Sequence, residues 1–183
     1  QKEKQNQRRN KNNTKQSNRA ITDVFEPGST MKPLTVAAAF ESGKYDLNSK
    51  IDTSPGFLRI GRDGIRDHRN YGEIDLATLI SKSSNVGASK LALSMDAEEI
   101  WSMFSGVRLG QDTGSGFPGE RGGLLPYRDR WRDIELATLS YGYGLSVTTL
   151  QLAQAYTVFA NKGEFKPVSL LKQQQPVSGA PVM

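Results

Sequence analysis

A serine hydroxyl becomes a useful nucleophile only when a neighbouring base takes its proton. The sequence sets such a pair three residues apart, at Ser29 and Lys32. On a helix, residues at that spacing share a face one turn apart, so the Lys32 amine can approach the Ser29 hydroxyl. A helix N-terminus beneath Ser29 would also stabilise negative charge developing there. Lysine serves as a base only where its ammonium is disfavoured, by burial or a second cation, starting from a reference pKa of ~10.4. Taken alone, the S-x-x-K tetrapeptide is a weak signal that recurs by chance, and it reads more readily as a serine N-cap followed by a solvent-facing lysine. A second polar cluster, Ser83-Ser84-Asn85, begins 54 residues after Ser29. Alone, it reads as a cap between two helices.

The elements that must position these groups are partly legible. Ala20 to Phe25 is short and extended-looking, and Glu26-Pro27-Gly28 punctuates it as a turn. From Ser29 a helical pattern runs through Lys32, Leu34, Val36, Ala37 and Phe40. Pro33 is tolerable in the first turn, where N–H groups have no intrahelical partner, and Ser42-Gly43 supplies a stop. Phe57 to Asp67 predicts a small hairpin with a glycine-bounded turn. A short helical stripe from Ile74 to Ile80 leads into the Ser83 cluster, and Val86 to Met95 predicts a further helix. Asp96 and Glu99 form a capping-box-like start for a helix carrying Ile100, Trp101, Met103 and Phe104. Gly110 to Gly123 holds six glycines and Pro118 and predicts an irregular segment. Helix is expected again within residues 131–141 and from Thr148 to Asn161, where Leu150, Leu152, Ala153, Tyr156 and Val158 supply the apolar positions. Residues 172–183 read as linker.

The segment Asp23-Val24-Phe25-Glu26-Pro27-Gly28-Ser29-Thr30-Met31-Lys32-Pro33 resembles the active-site segment of class B penicillin-binding proteins nearly residue for residue. Ser83-Ser84-Asn85 fits the second family signature in its S-x-N form. Gly119-Glu120-Arg121 with Pro126 resembles the G-E-R-x-G-x-x-P stretch. Tyr141 to Thr148, followed by Leu150-Gln151-Leu152-Ala153, is similar to the G-Y-G-L-x-V-T-x-x-Q-L-A segment. Four separated segments agree in order, roughly from Arg19 to Pro167, and the septal, cell-division member of the class is most similar.

The resemblance implies an α+β fold of the penicillin-binding and serine β-lactamase kind. That fold is expected here to be incomplete and dominated by its helical part, with most of the central antiparallel sheet lying outside the sequence. Residues 19–171 would be transpeptidase domain. The implied activity is a D,D-transpeptidase, with Ser29 as nucleophile and Lys32 as general base. Ser83 would relay a proton between Lys32 and the leaving group, while Asn85 would hold Lys32 and donate to the substrate carbonyl. Ser84, Tyr143 and Gly144 are the expected substrate contacts. Stem peptides ending in D-Ala-D-Ala and β-lactams are the implied ligands, septal glycan polymerase and division proteins the implied partners. The implied setting is the periplasmic face of the bacterial inner membrane.

One signature of the family, K-[ST]-G, does not occur in these 183 residues. That favours an alternative reading as a catalytically incomplete piece or an interaction module. A serine β-lactamase is the other alternative, but it needs a carboxylate that activates water for deacylation. Between Asn85 and Arg121, Glu98 and Glu99 are explained by capping and Glu120 by the G-E-R match.

Composition narrows the remaining classes. There is no cysteine, so disulfides, thiolate catalysis and cysteine-based zinc sites are excluded. No metal-ligand spacing or phosphate-binding fingerprint appears, and no cofactor is expected. His68, the only histidine, sits in a charged hairpin and reads as a surface residue. Asp63, Asp67, Glu73 and Asp75 read as surface charges and loop caps, and Trp101 and Trp131 as packing residues. The formal net charge is +5, but residues 1–19 alone carry +6, leaving the other 164 at −1. The basic character thus belongs to a polar segment, residues 1–18, which reads as a solvated tail. Polyanion binding through that tail is a weaker alternative, and nucleic acid is not an expected partner.

Overall fold

The computed structural model describes residues 18–175 and 177–182. The basic segment therefore lies outside the described residues, apart from Asn18. Seven helices and three two-stranded antiparallel sheets are found among them.

The helix that carries Lys32 is the hub. α2 (Lys32–Glu41) follows a 3-10 turn at Gly28–Met31. Lys32, Leu34, Thr35, Val36, Ala37, Ala38 and Ala39 are all buried. A helix apolar on nearly every side is covered on nearly every side, and α2 packs on α4 (Asn85–Leu93) and α5 (Ala97–Gly106). Small alanines let these neighbours approach, while Leu91, Ile100, Met103 and Phe104 fill the core beside them. α6 (Asp133–Leu139) covers the other side of α4.

Two hairpin-like pairs brace the second cluster. β1 (Lys50–Asp52) pairs with β4 (Glu73–Asp75), and β2 (Phe57–Ile60) with β3 (Asp63–Arg66). Gly61 at φ +60 makes the two-residue turn between β2 and β3. Ile74, expected in a helix, instead pairs with Ile51, and α3 (Leu76–Lys82) starts only after Asp75 caps it by accepting from the Thr78 N–H at 2.7 Å. The fold is thus α+β with helices predominating, as the resemblance implied.

Three further expectations need correction. Ala20–Phe25 is not simply extended: Asn18 accepts from the Ala20 N–H and starts a one-turn helix, α1 (Arg19–Thr22). The apolar face expected for α7 (Thr149–Ala160) is rotated. Gln151 and Gln154 are buried at 1% and 2% exposure, whereas Tyr156 is 36% exposed. Gln151 has a reason to face inward. Its carboxamide accepts from the Thr148 N–H at 2.8 Å and donates to the carbonyls of Gln111 and Gly122, tying the irregular glycine-rich segment to α7. Finally, the expected C-terminal linker contains β6 (Ala180–Pro181), which pairs with β5 (Glu164–Phe165).

The loop before α7 is stitched to the nucleophile's segment by backbone bonds. Phe25 and Val147 exchange N–H···O bonds at 3.0 and 2.9 Å, and Gly28 N–H donates to the Gly142 carbonyl at 3.1 Å. Gly142, at φ +87, sits so close that a Cβ would overlap the Gly28 carbonyl and amide. Gly144, at φ +80, faces open space. Gly142→Ala is therefore expected to cost more than ~2 kcal/mol in urea unfolding, strain plus clash, against about 1 for Gly144→Ala. Equal losses at the two positions would contradict the close approach.

Candidate active site

The 3-10 turn has a direct consequence for the first pair. In that geometry side chains three apart eclipse one another, and the Lys32 Nζ lies 3.0 Å from the Ser29 Oγ. Ser29 is exposed, whereas Lys32 is buried to 1% exposure. A reachable hydroxyl therefore rests on a hidden amine.

The second cluster closes over that amine. Lys32 Nζ donates to the Ser83 carbonyl at 2.6 Å, the Ser83 Oγ at 2.8 Å and the Asn85 Oδ1 at 2.7 Å. Ser83 reaches it twice because its backbone is left-handed, φ 55 and ψ 44, at the C-terminus of α3. That conformation costs a non-glycine residue roughly 1–2 kcal/mol. The next two residues begin α4, so the cluster is a helix-to-helix junction that also carries polar groups to Lys32.

Burial disfavours the ammonium and is the larger influence on Lys32, while the Asp67 carboxylate opposes it; the net effect lowers the pKa to about 8. The Tyr141 ring centre lies 5.9 Å from Nζ, and Tyr141 itself is pushed upward by burial. At pH 7 about one Lys32 in ten is neutral, against roughly one in three thousand for an unperturbed lysine.

The other expected contacts fall differently. Tyr143 is 49% exposed and stands edge-on to Tyr141 with ring centres 5.6 Å apart, beside the Lys32 site. The Gly144 N–H donates to Glu26 Oε1 at 2.9 Å, so Glu26 fixes this loop to the segment before Ser29. Ser84 is not placed for substrate. It is fully buried, its hydroxyl donates to Asp67 at 2.6 Å and accepts from the Gly87 N–H at 2.8 Å, leaving nothing to present outward. His68 is exposed. Glu120 accepts from Thr113 and Ser115 and holds the glycine-rich segment.

Sequence reasoning passed over Asp67 as a contributor to the site. Its Oδ1 accepts from the N–H groups of Asn85 at 2.6 Å and Val86 at 3.0 Å, its Oδ2 from Ser84. No local pattern links position 67 to position 84, because only the fold brings the end of β3 to the start of α4.

An exposed serine thus rests on a buried lysine, with a serine and an asparagine closing over the amine from a second helix junction. Comparison with known proteins places the site further: the family described as penicillin binding protein transpeptidase domain matches residues 1–183, and the chain belongs to that family. It is similar to the peptidoglycan D,D-transpeptidase FtsI of Escherichia coli K12, 48% identical over 162 residues, 88% of this chain and 27% of that protein. The probable peptidoglycan D,D-transpeptidase PenA of Neisseria meningitidis Z2491 is 47% identical over 156 residues, 85% of this chain and 26% of that protein. The apo TP domain of Burkholderia pseudomallei penicillin-binding protein 3 superposes with a TM-score of 0.87 at 46% identity, covering 90% of this chain and 50% of that one. The chain thus spans about a quarter of the length of these curated relatives. Among the described residues, no helix is long and apolar enough to cross a membrane.

The sign of the Lys32 shift gives a stability prediction. Its folded pKa lies below its unfolded value, so the unfolded chain binds more protons between pH 8 and pH 10.5. Stability from this group therefore rises with pH across that window, by roughly 3 kcal/mol in all. The difference in urea stability between the wild type and Lys32→Met should show that rise. A flat difference between pH 8 and 10.5 would place the amine in water.

Proposed function

We propose that this chain carries the nucleophile of a septal peptidoglycan D,D-transpeptidase. Ser29 Oγ attacks the carbonyl of the peptide bond joining the two D-alanines of a stem peptide. Neutral Lys32 accepts the hydroxyl proton across the 3.0 Å contact. Ser83, whose Oγ touches the same Nζ, passes a proton to the departing D-alanine amine. The C–N bond breaks and the acyl group remains as an ester on Ser29. An amine from a neighbouring stem peptide then attacks that ester, loses a proton to the same relay, and restores the free serine as the cross-link forms.

Asn85 contributes in two ways. Its Oδ1 holds Lys32 in register, and its Nδ2 is the group that would donate to the substrate carbonyl. Tyr143 and Gly144 would border the bound peptide. β-Lactams, whose strained amide imitates the dipeptide, would acylate Ser29 by the same first step. The working location would be the periplasmic side of the inner membrane, beside a septal glycan polymerase.

The observation that carries this reading is the contact of an exposed hydroxyl with a buried amine, closed by Ser83 and Asn85. A hydrolase would need a carboxylate free to activate water. The two acidic groups tied into the site, Asp67 and Glu26, are bonded to the α4 N-terminus and to Gly144.

Fluorescent penicillin applied to the intact gene product should label it covalently, with the mass increment on the Ser29 peptide and none in Ser29→Ala. Label retained in Ser29→Ala would refute the assignment. The acylation rate should fall about tenfold per pH unit below the Lys32 pKa of about 8 and level off above it, because only the neutral amine accepts a proton. A rate independent of pH between 6 and 9 would exclude Lys32 as the base.

A further inference from the structure

We propose that Arg66, held over the ring of Phe57, receives a carboxylate that the donor peptide carries upstream of its two D-alanines, and so determines substrate specificity. The proposal rests on the reading of Ser29 and Asn85 given above.

Strand alternation divides the β2–β3 hairpin into two faces. Leu58, Ile60 and Ile65 pack toward the core, where Ile65 is buried. Phe57, Arg59, Gly64 and Arg66 share the other face, with Phe57 opposite Arg66 and Arg59 opposite Gly64. The Phe57 ring lies so close to Gly64 that a Cβ there would overlap it. The Arg66 guanidinium sits over the same ring, 4.7 Å from its centre. The bare glycine leaves room for the ring, and the ring holds the guanidinium. Contact of this kind engages the face of a guanidinium and leaves its edge donors free. An arginine so held loses less rotamer freedom when a ligand binds, and its planar fork can meet a carboxylate with two parallel hydrogen bonds.

The charge around it is unbalanced. Residues 57–69 carry Arg59, Arg62, Arg66 and Arg69 against Asp63 and Asp67. Asp67 is engaged by the Asn85 and Val86 N–H groups and the Ser84 hydroxyl. Among the described residues, none of the four arginines is in an ion pair. Arg59 is turned back on its own hairpin, where its Nε donates to the Gly61 carbonyl at 3.1 Å, and Arg69 lies over Tyr71 at 5.4 Å. Arg62 and Asp63 stand at the turn, the end of the hairpin away from Asn85. Arg66 is left as the exposed cation next to the site.

Its backbone sets its place relative to substrate. The Arg66 carbonyl accepts from Asn85 Nδ2 at 3.3 Å, and Nδ2 is the group that would donate to the substrate carbonyl. Successive residues of an extended peptide advance by ~3.4 Å, so a side chain one or two residues upstream of the D-alanine pair comes alongside this strand end. A peptide that is acidic there meets a fork already in position.

The test compares two synthetic donor peptides, identical but for glutamate or glutamine at the two residues before D-Ala-D-Ala. Titration calorimetry on the intact gene product in a Ser29→Ala background reads Kd without turnover. Covalent labelling of wild-type Ser29 tests the underlying reading, so the two can fail separately. With Arg66 present the glutamate peptide should bind about fivefold more tightly, a preference that shrinks as salt is raised. Because the ratio is taken within one protein, any general loss of binding cancels. In Arg66→Gln the ratio should fall to about one. In Arg66→Lys, which lacks the fork, and in Phe57→Leu, which lacks the ring, it should fall to about twofold. Arg69→Gln removes a neighbouring charge and should keep the ratio. Failure of both peptides to bind, a preference retained in Arg66→Gln, or one lost equally in Arg69→Gln overturns the proposal.

Discussion

The rest of this structure depends on one amine hidden from water. Taking a lysine ammonium out of solvent is costly unless its protons are matched by oxygen, and Lys32 meets that demand with Ser29, both oxygens of Ser83 and Asn85. Satisfying those bonds requires two distant stretches of chain to arrive at one point, each in an unusual local geometry. Near Ser29 it is a 3-10 turn entered through Gly28 at φ +60; at Ser83 it is a left-handed residue between two helices. The same burial that costs stability makes the amine available as a base. Stability and reactivity are thus opposed at a single side chain.

That arrangement explains why the surrounding framework is rigid where it is. α2 is covered on nearly all sides, so Lys32 cannot swing outward without opening the core. The junction at residues 83–85 is bracketed by the β2–β3 hairpin through Asp67 and Arg66. The loop carrying Tyr143 and Gly144 is held by Gly28, Phe25 and Glu26, all within four residues of the serine. Asp67, Glu26, Phe25 and Gly28 fix backbone, while the Arg66 carbonyl fixes the Asn85 side chain. Positional precision of this kind favours attack by a hydroxyl that must meet its target in one orientation.

Much of this was legible in the sequence, for reasons that differ between elements. α2 announced itself through apolar spacing, Pro33 in the first turn and Gly43 after the last. The β2–β3 hairpin was visible from its glycine-bounded turn, and α7 from its start at Thr148 and the apolar positions that follow; the reciprocal Thr148–Gln151 cap is seen only in the structure. The Ser29–Lys32 contact followed from spacing alone once a helical turn was assumed. The Lys32 contacts to Ser83 and Asn85 did not. Nothing local distinguishes that cluster from a common cap, and only the likeness of four segments to a known family joined it to position 32.

What escaped was long-range pairing. Asp67 looked like one more charge among arginines, since its partners lie 17 to 19 residues away across a fold boundary. The apolar positions of α7 gave no hint that Gln151 and Gln154 are buried. Gln151 faces inward to hold carbonyls of a segment too glycine-rich to order itself. β6 was hidden by its brevity, and α1 by its dependence on the Asn18 cap. In each case a partner elsewhere in the chain, not a local preference, decides the outcome.

The reactivity of Ser29 turns on the state of a single nitrogen, the Lys32 Nζ. Direct NMR titration of Lys32, followed at its side-chain Cε and Nζ in protein labelled at lysine and assigned with Lys32→Arg, reads that state without any substrate. A midpoint near pH 8, set apart from the exposed lysines, is the predicted result. A Lys32 resonance titrating with them above pH 10 would mean that the amine is solvated, and the base proposed for Ser29 would be lost.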